Sequence, residues 1–301
     1  MNIVQNRKIF YTISGILFLI SIISLSLWGL KLGIDFTGGS LMEVEYIKER
    51  PEFDIISKIF SDSGIQSARM QGIGERGALM RFRDISETEH SILLSKLAGN
   101  IQNPSDVLIE KRFDSVGPVI GRELKESSVK ALLLVLILIV LYIAFAFRKV
   151  SLPISSWKYG IVALAALMHD VLIPAGIFSI LGKFMNIEVD ILFITGLLTV
   201  LGFSVHDTIV VFDRVREKLK MLRVREDFAE TVQRSVRETF ARSINTSFTV
   251  VIALLPVFLL GGESTRYLSL LLIIGVLIGT YSSIFIASPL LVTWELWQRK
   301  R

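Results

Sequence analysis

The chemistry in this chain has to come from ionisable residues placed where ionisable residues are costly. His206 and Asp207 lie in the stretch Gly202–Arg214 (GFSVHDTIVVFDR), which closes an apolar run beginning near Ile191. An ionised carboxylate in hydrocarbon costs roughly 2.5–3.5 kcal/mol on insertion scales, so such a residue normally faces a bundle interior or a wet path. Asp213 and Arg214 read as a helix end among lipid headgroups. Asp207 sits six residues deeper, about 9 Å at helical rise. A second pair, His169–Asp170, falls near the middle of another apolar run. A histidine titrates near neutral pH and a neighbouring carboxylate shifts that titration; the plainer alternative is a hydrogen bond that locks two helices. A third group opens a later run: Arg242, then Asn245, Thr246 and Thr249. At about 100° per residue, Arg242, Thr246 and Thr249 share one helix face. Alone, Arg242 would be a snorkelling anchor and the threonines ordinary interhelical glue. Together they form a polar stripe at a depth similar to Asp207. If Asp207 and Arg242 pair, protonating Asp207 releases Arg242 and changes what the two helices prefer to contact. That is proton-driven switching, and it needs no bound cofactor.

Other chemistries fit poorly. The chain has no cysteine, which excludes disulfides, thiolate metal sites and cysteine nucleophiles. Three histidines without an HExxH pattern argue against zinc. No Ser-His-Asp constellation suits hydrolysis, so the chain does not read as an enzyme. Asp170 with Asp207 could be proposed as the paired set of an intramembrane protease; substituting either and measuring transport against peptide cleavage would decide. The glycine-rich flank Gly33–Gly39 lacks the Lys-Ser/Thr of a phosphate-binding loop, and a tight backbone turn explains it better. The net charge of +5 fits basic membrane-flanking loops, and no nucleic-acid motif is present.

The positioning elements follow from 301 residues that are 51% apolar, a composition of several membrane spans with lipid as the surrounding solvent. Apolar runs occupy Ile9–Leu30, Val129–Phe147, Tyr159–Leu181, Ile191–Phe212, Ile244–Leu260 and Tyr267–Leu291, each near the length a helix needs to cross. The first is read as an uncleaved span, since it ends SLSLWGLKLG without a small-x-small cleavage signature. Only helices can satisfy the backbone there. Lys and Arg crowd the segments Arg148–Lys158 and Asp213–Arg242 and the Arg299–Arg301 tail, which predicts both termini on the cytoplasmic side. The domains expected are residues 1–30 (N-terminus and first span), 31–128 (periplasmic), 129–291 (spans two to six) and 292–301 (cytoplasmic tail). Within 213–241, Phe228, Val232, Val236 and Phe240 recur at near-helical spacing, which predicts short amphipathic helices lying in the interface. The glycine and small residues Gly275, Gly279, Ser283 and Ala287 form a four-residue stripe for close helix approach, inside the bundle or against a partner.

Residues 31–128 have soluble-domain texture. Strands are predicted at Leu41–Tyr46, Ser67–Gln71, Ala78–Arg83 and Asp106–Phe113, with helices at Pro51–Phe60 and Ile85–Leu97, the latter with a Ser86/Glu89 capping box. The order βαββαβ predicts a small α+β ferredoxin-like sheet with its helices on one face. The fold class is a six-span α-helical membrane protein carrying that domain after its first helix.

Five features together resemble the SecD/SecF family of the resistance-nodulation-division superfamily: LGIDFTGGSLMEV (Leu32–Val44), GPVIGRELK (Gly117–Lys125), VHDTIVVFDRVRE (Val205–Glu217), RSINTS (Arg242–Ser247), and six spans with one large domain after the first. The resemblance implies a subunit that pairs with SecD in a SecDF complex beside the SecYEG channel, with SecA and YajC as further partners. It implies use of the proton motive force to help export unfolded proteins from the bacterial cytoplasmic (inner) membrane, with no cofactor. The start and end of the chain suggest that SecD is a separate chain. The resemblance places the proton-relay carboxylate on Asp207 and its arginine and threonine on Arg242 and Thr246. It leaves Asp213 as a second carboxylate and His206 where SecD-type relatives carry their own; His169–Asp170 has no assigned part. A proton-coupled small-molecule exporter on the same architecture and a scaffold whose charges only pack helices are the alternatives.

Overall fold

The computed structural model describes residues 2–66, 68–99, 104–148, 155–221 and 227–299; Ser67, Lys149, Lys300 and Arg301, which carry parts of the strand and charge readings, lie outside them. Two compact units result: Leu32–Ser128, and a helical unit of Met1–Lys31 with Val129–Arg301. Helix α1 is Arg7–Trp28. The first of the two units then holds a one-turn helix α2 (Ile34–Thr37), strand β1 (Gly39–Tyr46), helix α3 (Phe53–Asp62), strands β2 (Arg69–Ile73) and β3 (Gly77–Phe82), helix α4 (Glu87–Leu97) and strand β4 (Leu108–Val116). Helix α5 (Pro118–Ala146) leads on to α6 (Ser156–Met185), α7 (Ile191–Met221), α8 (Phe228–Leu260) and α9 (Glu263–Ser282). A π segment, Ser283–Ala287, joins α9 to α10, Ser288–Arg299.

The α+β unit follows the predicted βαββαβ order, and its antiparallel sheet runs β2-β3-β1-β4. Pleating sends alternate side chains to opposite faces. The register sets Met42 opposite Met80 and Val44 opposite Ala78, so these bury on one face with Tyr46 and Phe82. Ile56 and Phe60 of α3 and Leu93 and Leu97 of α4 complete that core, with Phe60 edge-on to Phe82 at 5.0 Å. The capping box on α4 forms: Ser86 accepts from the Glu89 N–H, and the Ser86 N–H donates to Glu89 Oε2 at 2.9 Å. The two glycine-rich flanks pack on each other. A Cβ on Gly38 (φ +76°) would lie 2.7 Å from Pro118 Cα, and one on Gly121 would lie 2.9 Å from Gly38 N. Side chains at either position would push the backbones apart.

Among the described residues, six helices are long and apolar enough to cross a membrane: α1, α5, α6, α7, α8 and the continuous Ser264–Arg299 stretch. Two expectations change here. The amphipathic pattern over 213–241 does not make separate interfacial helices: α7 continues to Met221, and α8 starts at Phe228 and runs unbroken to Leu260. Phe228, Val232 and Val236 are buried in the same core as Val215, and Glu238 accepts from both Arg214 and Lys218 across the two extensions. The apolar periodicity therefore marked a protein-facing stripe, not a lipid-facing one. Likewise residues 292–299 are no free tail, since α10 runs to Arg299 and buries Val292 and Glu295. The small-residue stripe resolves to packing inside the bundle. A Cβ on Gly275 would lie 2.2 Å from Val200 Cγ2, and one on Gly279 would lie 3.0 Å from Ser204 Cβ. Those contacts press α9 against α7 and set the height of the serines that follow.

Candidate functional site

Helices α6 and α7 each carry one buried carboxylate. Asp170 of α6 is 0% exposed and Asp207 of α7 is 7% exposed. Asp170 has three hydrogen-bond partners: it accepts from Ser282 Oγ at 2.6 Å and from Ser204 Oγ of α7, and its Oδ1 lies 2.9 Å from His169 Nδ1. Asp207 accepts from Ser243 Oγ of α8 at 2.5 Å and from Ser283 Oγ of the π segment. Ser204 precedes Asp207 by three residues, so both project from one face of α7. Ser282 and Ser283 are consecutive, and consecutive helical residues diverge by about 100°. One junction therefore serves two carboxylates on two different helices. The π winding at that junction is visible in Ser288, whose hydroxyl donates to the Ser283 carbonyl five residues back at 2.8 Å. Beyond Asp207 the hydroxyls continue through Ser247, whose Oγ donates to the Ser243 carbonyl at 2.9 Å and also bonds Thr280 Oγ1.

Hydroxyl donors satisfy the lone pairs of a carboxylate but bring no counter-charge. A buried ionised carboxylate without a paired cation is expensive. Among the described residues, the partners of Asp207 are serines. Asp207 is therefore a carboxylate held among hydroxyls, in the kind of interior position where ionisable residues mark functional sites.

The predicted residues separate into two sets. Asp207 enters the network. Arg242 and Thr246 do not: α8 turns Ser243 and Ser247 inward and leaves Arg242, Asn245, Thr246 and Thr249 on its exposed face. The Asp207–Arg242 pair expected within one chain is not among the described contacts, because Ser243, one position further round the helix, takes the place opposite Asp207. His206 is exposed on α7, and Asp213 is exposed with Arg216 at 3.2 Å. The serines escaped the sequence reading because a lone serine in an apolar run carries no periodic signal. The available clue was spacing: Ser204 three before Asp207, and Ser243 and Ser247 four apart beside the polar stripe.

A six-span bundle with carboxylates buried between its helices, carrying an α+β unit after the first helix, defines a multi-pass membrane transport component. Residues 99–297 match the family described as "Protein export membrane protein SecD/SecF, C-terminal", and residues 29–46 match the SecD/SecF GG motif, which contains Gly38 and Gly39. The chain belongs to the SecD/SecF family of protein export membrane proteins. It is 44% identical to the protein translocase subunit SecF of Thermobaculum terrenum, over 98% of this chain and 94% of that one. It is 38% identical to SecF of Anaerolinea thermophila, again over 98% and 94%. The crystal structure of SecDF from Thermus thermophilus, a translocon-associated membrane protein, superposes with a TM-score of 0.81 at 31% identity, covering 98% of this chain and 38% of that one. SecDF in its super-membrane-facing form gives 0.69 at 31% identity, covering 100% and 39%. The chain thus spans well under half of the SecDF chains it matches.

Proposed function

We propose that this chain works with a SecD companion as a proton-driven aid to protein export: protons crossing the bundle through Asp207 drive movements that help unfolded proteins leave the SecYEG channel. One observation carries the reading. Among the described residues Asp207 is buried with hydroxyl partners alone, while the polar face of α8, with Arg242 and Thr246, is turned out of the chain. In apolar surroundings an outward guanidinium favours a second protein against that face. A SecD companion supplies that surface, consistent with the SecDF structure, of whose chain this one covers 38%. In this arrangement both termini lie in the cytoplasm and Leu32–Ser128 lies outside, where it meets the emerging chain. Arg242 and Thr246 line the seam with the companion, and Asp207 holds the transferred proton.

The test is export of an unfolded substrate into vesicles holding this chain, SecD and SecYEG, with and without an imposed proton gradient. The gradient should accelerate completion of export, and Asp207→Asn should remove that acceleration while leaving assembly intact. Equal acceleration in the variant would refute the assignment.

A further inference from the structure

We infer that His169 and Asp170 form a second proton-binding site in the bundle, coupled to Asp207 through the consecutive serines Ser282 and Ser283. The coupling, though not the site itself, rests on the reading of Asp207 as a proton carrier.

The site is defined by an orphaned atom. His169 is 5% exposed, and its Nε2 is buried with no hydrogen-bond partner among the described residues. Its Nδ1 lies 2.9 Å from Asp170 Oδ1, and opposite an ionised Asp170 it is Nδ1 that carries the ring proton. A neutral imidazole that donates from Nδ1 carries its basic lone pair on Nε2. Nε2 is therefore where a proton can land. The step balances simply: an N–H bond forms at Nε2, one O–H bond of the delivering hydronium breaks, and water departs. The pair changes from a net charge of −1 to an imidazolium beside a carboxylate, net zero. In low dielectric that neutralisation offsets the cost of the buried Asp170 charge. A helix clamp would account for the three hydrogen bonds on Asp170 but not for an unpaired ring nitrogen, because buried polar atoms are normally satisfied.

The link to Asp207 is geometric. Ser204 and Ser282 hold Asp170; Ser283 and Ser243 hold Asp207. Ser282 ends α9 and Ser283 begins the π segment, and π insertions of this kind are frequent at functional sites. A change in charge on the His169–Asp170 pair alters the hold on Ser282 and moves the junction that carries Ser283. Among the described residues, no cation bonds the pair. Facing α6, α1 buries Ser14, Ser21 and Ser24, and α5 offers Val140 and Ala144. From α7 come Ser204 and Asp207, and from α9 Tyr281, its ring 6.4 Å from that of His169. On α8, Ser243 faces inward and Arg242 outward. The buried carboxylate of α10, Glu295, lies about 18 Å along the helix from Ser283 and is bound by Arg299.

The experiment is infrared difference spectroscopy on the full chain with its SecD companion in bilayers, stepping pH through the range in which imidazole titrates. Ring-labelled histidine reports protonation, and subtraction of His169→Gln assigns the His169 band. An imidazolium band at His169 should grow in as pH falls. Asp170→Asn should move the Asp207 carboxyl midpoint downward by about one pH unit, because removing a like charge eases ionisation. If Asp170→Asn fails to assemble, Ser282→Ala must still shift that midpoint. A His169 that stays neutral at every pH overturns the site. A His169 that protonates while the Asp207 midpoint stays fixed in both variants overturns the coupling. An Asp207 that never titrates in the unmodified chain refutes the reading of Asp207 instead, and the His169 band still decides the site.

Discussion

Glu89 in the α+β unit and Asp207 in the helical unit both accept hydrogen bonds from serine, yet their situations differ. Against Glu89 stands Arg83, its Nη2 at 2.5 Å from Oε1, with the Ser86 N–H and hydroxyl on the other oxygen. The Arg83 hydrogen bond first, then the Ser86 backbone, hold its carboxyl down at about 2, and it stays charged. Asp207 has Ser243 and Ser283 and, among the described residues, no such cation. The first arrangement fixes a charge permanently at a helix start. The second surrounds a carboxylate with hydroxyls, and on the proposed function its charge comes and goes. The same contrast runs through the two interiors. The α+β core is filled by Met42, Ile56, Phe60, Met80 and Leu93, while the helical unit adds to its own apolar core of Phe147, Tyr159 and Phe212 a set of buried serines, Ser24, Ser204, Ser243, Ser282 and Ser283. In water, apolar burial drives folding; in lipid, close approach and interhelical hydrogen bonds must do so.

The sharpest way to separate the two modes is to damage each core. Phe60 is fully buried against Phe82. Phe60→Ala should cost the α+β unit about 3–5 kcal/mol, read by hydrogen exchange as lost protection of β1 and β3 while α6 and α7 amides stay protected. Protection lost equally in both units would break the contrast. A smaller effect is expected where α1 meets α6. A Cβ on Gly176 would sit 2.5 Å from the Ser21 Cα, and Ser24 Oγ donates to the Gly176 carbonyl at 3.1 Å. Gly176→Ala should cost about 1–3 kcal/mol, seen as a lower unfolding temperature in detergent, with exchange rising in α1 first.

How far this was legible in the sequence differs between the units for the same reason. Alternation in LMEVEY and ALMRF, with the Ser86/Glu89 spacing, marked the sheet and the α4 cap, because pleat and capping leave a pattern in residue type. The number of spans was also plain from run length. The continuation of α7 and α8 past the apolar runs was not. Their buried stripe of Val215, Phe228, Val232 and Val236 is set among Arg and Glu, and periodicity alone cannot tell a protein-facing stripe from a lipid-facing one. Asp207 was legible as a costly residue in the wrong solvent. Its partners were not, since nothing in the sequence fixes whether Arg242 or Ser243 turns inward.

The smallest effect sharpens the fixed-charge side. Ser86→Ala should cost about 1 kcal/mol as a lost N-cap, read as faster exchange in the first turn of α4. Acid should act in the same place. Glu89 is depressed below its ordinary 4.5, so its contribution is complete above that value and is lost as pH falls toward about 2. Exchange in that turn should rise across this window in the unmodified chain, and Glu89→Gln should flatten the dependence.

Proton flux tests the proposed role of Asp207 most directly. Vesicles holding this chain with its SecD companion, and a pH-sensitive dye inside, are given an acid-outside gradient while an exporting substrate is present. The unmodified pair should acidify the lumen, Asp207→Asn should not, and Ser283→Ala should fall between them with the helices still assembled. Acidification by Asp207→Asn at the unmodified rate would contradict the claim that this buried carboxylate carries the proton.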